Sequence, residues 1–266
     1  DECFACGCNH QQEFRGTHET MRTLKTCLRR LYSHIPESRV HKAPRSMTRI
    51  IPVDSAVYRT ESSEAQAAAD ILRNGGIVAL PTDTIYGIAA LAQNSESVEK
   101  LYRLKRRDAG KPIAICVNNA DEISRWAQVS IPKKLLHHLF PGAVTAVFQR
   151  TRELNPKLNP LTPLVGVRVP NSDFIRQVTR CCGEPLALTS ANVSSEMSTL
   201  SIQEFQALWP HLDAVFDGGN LGYNGLNREG STVINFSIPG HFEIIRKGCA
   251  FRETKELLER FQLREI

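Results

Sequence analysis

Between residues 62 and 262, apolar runs of strand length alternate with segments of helical periodicity, and this alternation restricts the possible folds more than any single residue does. GIVAL (76–80) reads as a buried strand that runs into Pro81, and IAALA (88–92) as another short apolar segment. KPIAICV, PGAVTAVFQ, LVGVRVP, PLALTS, DAVFDGG, STVINF and FEIIR supply further strand candidates. In SSEAQAAADILRNGG, Ser63 and Gln66 fit a capping box. Ala65, Ala68, Ala69 and Leu72 follow at helical spacing, and Gly75 stands where that helix should stop. SESVEKLYRLKRR predicts an amphipathic helix begun by Ser95, with Val98, Leu101 and Tyr102 turned inward. ADEISRWAQ, PKKLLHHLF and the stretches around 172–180, 202–208 and 253–261 are also predicted helices. Strands interspersed with helices indicate a mixed α/β sheet in one domain. They are short and often hairpin-spaced, which disfavours a wholly parallel dinucleotide-binding sheet. Neither G-x-G-x-x-G nor G-x-x-x-x-G-K-[ST] occurs.

The chain has 266 residues, enough for one well-buried domain of about 200 residues plus an extension. Residues 1–50 are expected to be that extension, disordered or a transit peptide, and 51–266 the folded domain. Charge is unevenly divided. Residues 1–20 carry a net −3, residues 21–50 a net +7, and the remainder +1 of the overall +5. The basic excess therefore belongs to the extension, and the calculated pI of 8.8 is a poor argument for non-specific nucleic-acid binding by the body. Segment 21–49 starts at Met21, is rich in Arg and poor in acids, and can gather Arg22, Lys25, Arg29 and Arg30 on one helical face. It resembles a mitochondrial transit peptide, and a disordered basic tail has the same composition. Met47 offers a second start that would delete it.

CFACGCNH holds ligand types in C-x-x-C-x-C-x-H order, but no second ligand pair follows, so no metal site is expected. The other cysteines are irregularly spaced, which fits reduced thiols. The histidines show no metal-binding spacing, and no apolar run approaches the length of a membrane span.

Three polar clusters stand at strand ends, where α/β proteins assemble sites. PTDTIYG (81–87) puts Thr82, Asp83 and Thr84 after a buried strand, although an ordinary Asp/Thr turn looks the same. LKRRDAGKPIAI (104–115) brings Lys105, Arg107 and Lys111 to a helix–strand junction. Cations there suit the helix dipole, and they equally suit a polyphosphate. LALTSANVSS (186–195) delivers Thr189, Ser190 and Asn192 from an apolar strand, as ligand-binding groups or as a local turn. Ser190 lacks a G-x-S-x-G elbow, which argues against a serine hydrolase.

In this order, PTDTIYG, KRRDAGKP, PGAVT, TSANVS, GSTV and IIRKG resemble the YrdC-type domain family over about residues 62–250, especially its animal branch. The resemblance implies a single domain with a twisted mixed parallel and antiparallel sheet, flanked by helices around a positively charged cavity. It implies synthesis of threonylcarbamoyl-AMP and pyrophosphate from L-threonine, bicarbonate and ATP with Mg²⁺, without an organic cofactor. The product then serves a separate tRNA threonylcarbamoyl transferase complex, which modifies adenosine 37 of ANN-decoding tRNAs; direct tRNA contact is expected to be transient or absent.

Carried over residue by residue, Lys105, Arg107 and Lys111 clamp the ATP phosphates and offset charge in the transition state. Asn192 and Arg246 contact the nucleotide, with Ser190 bridging it to threonine. Thr84, Arg168 and Ser231 hold threonine, and Cys116 lines the same pocket. No nucleophilic side chain is required. Cytoplasmic and mitochondrial locations go with the family and the basic leader. A carbamoyl-adenylate-forming enzyme and an RNA-binding module are the rival expectations.

Overall fold

The structure is a computed structural model that describes residues 48–53, 62–105, 111–192, 196–224 and 228–266. The cysteine-rich start, the basic segment up to residue 47, and Arg107 lie outside the described residues.

In chain order the elements are β1 (Arg49–Pro52), α1 (Ser63–Arg73), β2 (Val78–Leu80), β3 (Gly87–Leu91), α2 (Ser95–Leu104) and β4 (Ala114–Cys116). Then come α3 (Ile123–Trp126), β5 (Ala127–Gln128), α4 (Lys133–Leu139), β6 (Val144–Arg150), β7 (Leu164–Arg168), α5 (Asp173–Cys182) and β8 (Leu186–Ser190). The last are β9 (Ala214–Asp217), β10 (Thr232–Asn235), β11 (His241–Arg246), α6 (Phe251–Arg260) and β12 (Arg264–Glu265). Among the described residues the strands form one sheet in the order β1-β9-β2-β3-β8-β4-β7-β6-β10-β11-β12, with β5 on β6. Pairs β1/β9, β2/β9, β4/β7 and β6/β10 are parallel, whereas β2/β3, β3/β8, β4/β8 and β6/β7 are antiparallel. The sheet is mixed, as the short hairpin-spaced strands predict.

Strand alternation gives the sheet two different faces. On one, Ile88, Ile115, Ala146, Phe148, Val165, Val167 and Ile234 join Val98 and Leu101 of α2 and Leu135 and Leu136 of α4 in the larger core. On the other, Val78, Leu80, Ala89, Leu188 and Phe216 pack against α1 and α5. The alanines Ala65, Ala68 and Ala69 let α1 approach closely, and α1 and α5 also pack on each other. The remainder of that second face, over β4, β7, β6 and β10, carries the small or polar residues Ala114, Gly166 and Thr145 beside Val147 and Val233.

The structure corrects the sequence reading at several element ends. Strand β1 begins at Arg49, inside the stretch assigned to the extension. Its pattern is mostly exposed and non-periodic; it is a strand because β9 offers an edge, with Val53 N–H donating to Asp217 O at 2.7 Å. Helix α1 is capped by Ser62 rather than Ser63. The Ser62 hydroxyl accepts from Ala65 N–H, and its own N–H goes to Gln177 of α5, so no capping box forms with Gln66. Helix α2 is capped by Asn94, whose side chain accepts from Ser97 N–H, rather than by Ser95. ADEISRWAQ splits into a 3₁₀ turn, α3 and strand β5, because Ala127 and Gln128 pair with Arg150 and Gln149. The predicted helix near 202–208 is a 3₁₀ segment over Ile202–His211, broken at Phe205 and containing Pro210.

Candidate active site

On the open part of the second sheet face lies a cavity of about 530 Å³, a volume in the range of small-molecule sites. Space is left for it because Gly87, Ala114 and Gly166 present almost no side chain on its floor. At Gly166 an added Cβ would stand 3.0 Å from Thr145 Cγ2. The expected threonine-site residues Cys116, Arg168, Ser190 and Ser231 all line this cavity, and so does Arg246. Among the described residues its lining holds two arginines and no carboxylate.

Register sets the two ends of the cavity. Cys116 pairs with Arg168 across β4 and β7, and Ser190 pairs with Gly87 across β8 and β3; because β8 runs antiparallel to β4, with Cys116 opposite Leu186, the two pairs lie toward opposite strand ends and the cavity spans the face between them. Arg168 Nη2 donates to Asp83 and, at 2.8 Å, to Thr84 Oγ1. Thr84 is fully buried and touches the site through Arg168. The Asp83 carboxylate also accepts from Asn171 N–H at 2.9 Å.

On the far wall, Thr145 Oγ1 and Ser231 Oγ share a hydrogen bond of 2.7 Å. Arg246 donates from Nη2 and Nε to the Ser231 carbonyl at 2.7 and 3.1 Å, and reaches the Ser231 hydroxyl at 3.2 Å. Gly248 makes this crossing possible, since a Cβ there would fall 2.3 Å from Gly230 O. The Thr145 hydroxyl was missed as a site group, although it stands in PGAVT. The signal was the alternation of β6, which puts Thr145 on the face opposite Val144, Ala146 and Phe148.

Lys105 caps the end of α2 and is 4% exposed. Its ammonium donates to Ser190 O at 2.7 Å, to the Asn192 carbonyl, and to Asn192 Oδ1 at 3.1 Å. Ser190 Oγ donates to the same Asn192 oxygen at 2.5 Å. Lysine, serine and asparagine thus form one knot beside the cavity, with Ser190 on its wall. Lys111 is exposed next to Pro112, which lines the cavity.

Burial pushes the Cys116 thiol up to about 12, against the pull of the Arg168 guanidinium, so it remains a neutral lining group. Burial also raises the Cys249 thiol, again opposed by Arg168. Burial raises the Tyr86 phenol; its hydroxyl donates to Gly219 O at 2.7 Å and accepts from Gly218 N–H, which anchors the loop after β9. Among the described residues no cluster of three or more His, Cys, Asp or Glu could hold a metal, and no helix is long and apolar enough to cross a membrane.

Residues 70–248 match the sequence profile of the Sua5/YciO/YrdC family, whose description reads "Telomere recombination". The chain belongs to the Sua5/YciO/YrdC family. It is 50% identical over 196 residues to the threonylcarbamoyl-AMP synthase of Rattus norvegicus, covering 73% of this chain and 70% of that one. The enzyme of the same name from Homo sapiens is 43% identical over 233 residues, covering 84% and 83%. Among solved structures, P. abyssi Sua5 complexed with L-threonine superposes with a TM-score of 0.70 at 26% identity. That match covers 82% of this chain and 63% of the Sua5 chain. E. coli YciO shares the fold, with a TM-score of 0.66 at 22% identity over 77% of this chain and 97% of its own.

Proposed function

We propose that the chain is a threonylcarbamoyl-AMP synthase, a nucleotidyltransferase of the tRNA threonylcarbamoyladenosine pathway. The observation that carries this reading is the single cavity in which Arg168, Ser190, Ser231 and Arg246 meet. Relatives bearing that enzyme name cover most of the folded body, and the P. abyssi relative is complexed with L-threonine.

L-Threonine sits with its carboxylate on Arg168, which Thr84 holds in place from behind, while Ser190 and Ser231 supply hydroxyls around it and Cys116 an apolar wall. Its amine combines with bicarbonate to give a carbamate and water. The carbamate oxygen then bonds to the α-phosphorus of ATP, the bond to the β-phosphate bridge breaks, and pyrophosphate leaves with its electron pair. Lys105, Arg107 and Lys111 offset charge that grows on the phosphates, and Asn192 and Arg246 hold the nucleotide. The protein's part is to keep an unstable carbamate dry and beside the α-phosphate, which needs placement and charge rather than a side-chain nucleophile. Mg²⁺ enters as part of MgATP. The hard phosphate oxygens of ATP would suit that ion, and the cations Lys105, Arg107 and Lys111 would share the phosphate charge with it. The adenylate then passes to a separate tRNA transferase. The acid-poor segment 21–49 supports a mitochondrial pool alongside a cytoplasmic one.

The test is incubation with MgATP, L-threonine and ¹⁴C-bicarbonate. Threonine-dependent labelled adenylate is expected, with most of it lost in Lys105→Ala and Ser190→Ala. Label formed without threonine would point instead to a carbamoyl-adenylate enzyme, and salt-steep RNA binding without ATP turnover to an RNA-binding module.

A further inference from the structure

Asp83 lies in the loop after β2 and Arg168 at the end of β7, and their side chains meet where each is only 8% exposed. Both carboxylate oxygens are engaged by the segment around β7: one accepts from Arg168 Nη2, the other from Asn171 N–H. The second bond of Nη2 goes to Thr84 Oγ1, which also shares a hydrogen bond of 3.2 Å with Thr82 Oγ1. Arg168 Nε, in contrast, is buried and without a partner among the described residues. A buried donor lacking an acceptor is uncommon, and this one belongs to a side chain that lines the cavity. The guanidinium is thus short of acceptors, and its side chain lines the cavity that a substrate carboxylate would enter.

We propose that Asp83 is a positioning residue that presets the Arg168 guanidinium for the α-carboxylate of the amino-acid substrate. This rests on the reading of the cavity as a threonine site. A long arginine side chain has many rotamers, and a charge at this depth needs an opposing one. Asp83 supplies both constraints through a single guanidinium nitrogen, Nη2, and its carboxylate leaves the other donors unclaimed. Its effect therefore falls on threonine binding, because the groups that hold ATP are different residues.

The experiment compares wild type, Asp83→Ala, Asp83→Asn, Arg168→Ala and Asp83→Ala/Arg168→Ala in steady-state adenylate formation. Threonine affinity is read separately by calorimetry. Asp83→Ala is expected to raise the KM and Kd for threonine by about 10- to 100-fold, as for loss of a charge-assisted bond. The KM for ATP stays within about 3-fold and kcat at saturating threonine is largely kept. Asp83→Asn, which keeps the shape and one acceptor oxygen, recovers part of the affinity. In the Arg168→Ala background, Asp83→Ala adds no further loss. Unchanged threonine KM in both Asp83 variants, an equal rise in the KM for ATP, or full additivity in the double variant would overturn the proposal. Should Asp83→Ala fail to fold, Asp83→Asn with a wild-type thermal melt decides on the same readouts. Failure of the functional reading shows earlier and differently: wild type itself would neither bind threonine nor form threonine-dependent adenylate.

Discussion

The ammonium of Lys105 sits 2.7 Å from the carbonyl oxygen of Ser190, so one cation joins the end of helix α2 to the end of strand β8. Through Asn192 Oδ1, 3.1 Å from the same ammonium and 2.5 Å from Ser190 Oγ, that cation also sets the orientation of a cavity-wall hydroxyl. A residue singled out for phosphate binding is thereby also a tether for the turn that presents Ser190.

Lys105→Ala removes both roles, and the expected outcome is a fall in kcat/KM of about a hundredfold or more, the usual size of a lost transition-state charge contact. Lys105→Arg keeps the charge but cannot reproduce a point donor that reaches three oxygens at once, so it recovers only part. Asn192→Ala loosens the turn and removes the Asn192 contact to the nucleotide while leaving the lysine. Steady-state kinetics with ATP varied would show a smaller loss in Asn192→Ala than in Lys105→Ala; equal losses would mean that the lysine charge contributes nothing beyond the contacts of Asn192.

Gly166 forms part of the cavity floor, and a branched side chain there would enter the space the substrate needs. Its Cβ alone would stand 3.0 Å from Thr145 Cγ2, a contact relieved by a small movement of a methyl group. Gly166→Val is therefore expected to abolish most adenylate formation while costing about 1–3 kcal/mol of stability, the range for overpacking. Urea unfolding alongside the activity assay checks it. A stable variant of wild-type activity would show that the cavity over β7 is not the reaction site.

The strands around the site were legible because apolar runs such as LVGVR and PLALTS are buried on both faces and end in polar residues, a pattern set by local composition. Their spatial order was not, since β4 sits between β8 and β7 by pairing across long stretches of chain. The sequence also singled out Thr84, Arg168 and Ser190 without showing that Arg168 would be buried against Asp83, because that pairing joins residues 85 positions apart. β1 escaped notice for a related reason: its four residues are mostly exposed, and only the edge of β9 makes them a strand.

Helix caps are the local feature that was misplaced by one residue, and the correction can be tested away from the cavity. Ser62→Ala removes the hydroxyl that accepts from Ala65 N–H and should lower stability by about 1 kcal/mol, whereas Ser63→Ala should change it by no more than about 0.5 kcal/mol. Both variants should retain adenylate synthesis. Denaturant midpoints that rank the two variants the other way would restore Ser63 as the cap.

Two buried thiols give the protein a defined alkaline weakness. Burial pushes Cys116 and Cys182 up to about 12, from an ordinary value of 9.0. As pH rises past 9 the unfolded chain releases these protons while the folded chain retains them. The unfolded state then binds fewer protons, and stability falls as pH rises. The contribution is fully present below pH 9 and is lost progressively toward 12, at no more than about 1.4 kcal/mol per pH unit for each thiol. Thermal melts between pH 8 and 10.5 should show a decline that flattens in Cys116→Ala/Cys182→Ala, whose lower starting stability reflects the small cavities left behind. The same protonation makes Cys116 slow to react with iodoacetamide at pH 8 until the protein is unfolded. An unchanged pH slope in the double variant, together with rapid native-state labelling of Cys116, would mean that the thiol beside Arg168 ionises in the folded protein and that the cavity wall is charged rather than apolar at that point.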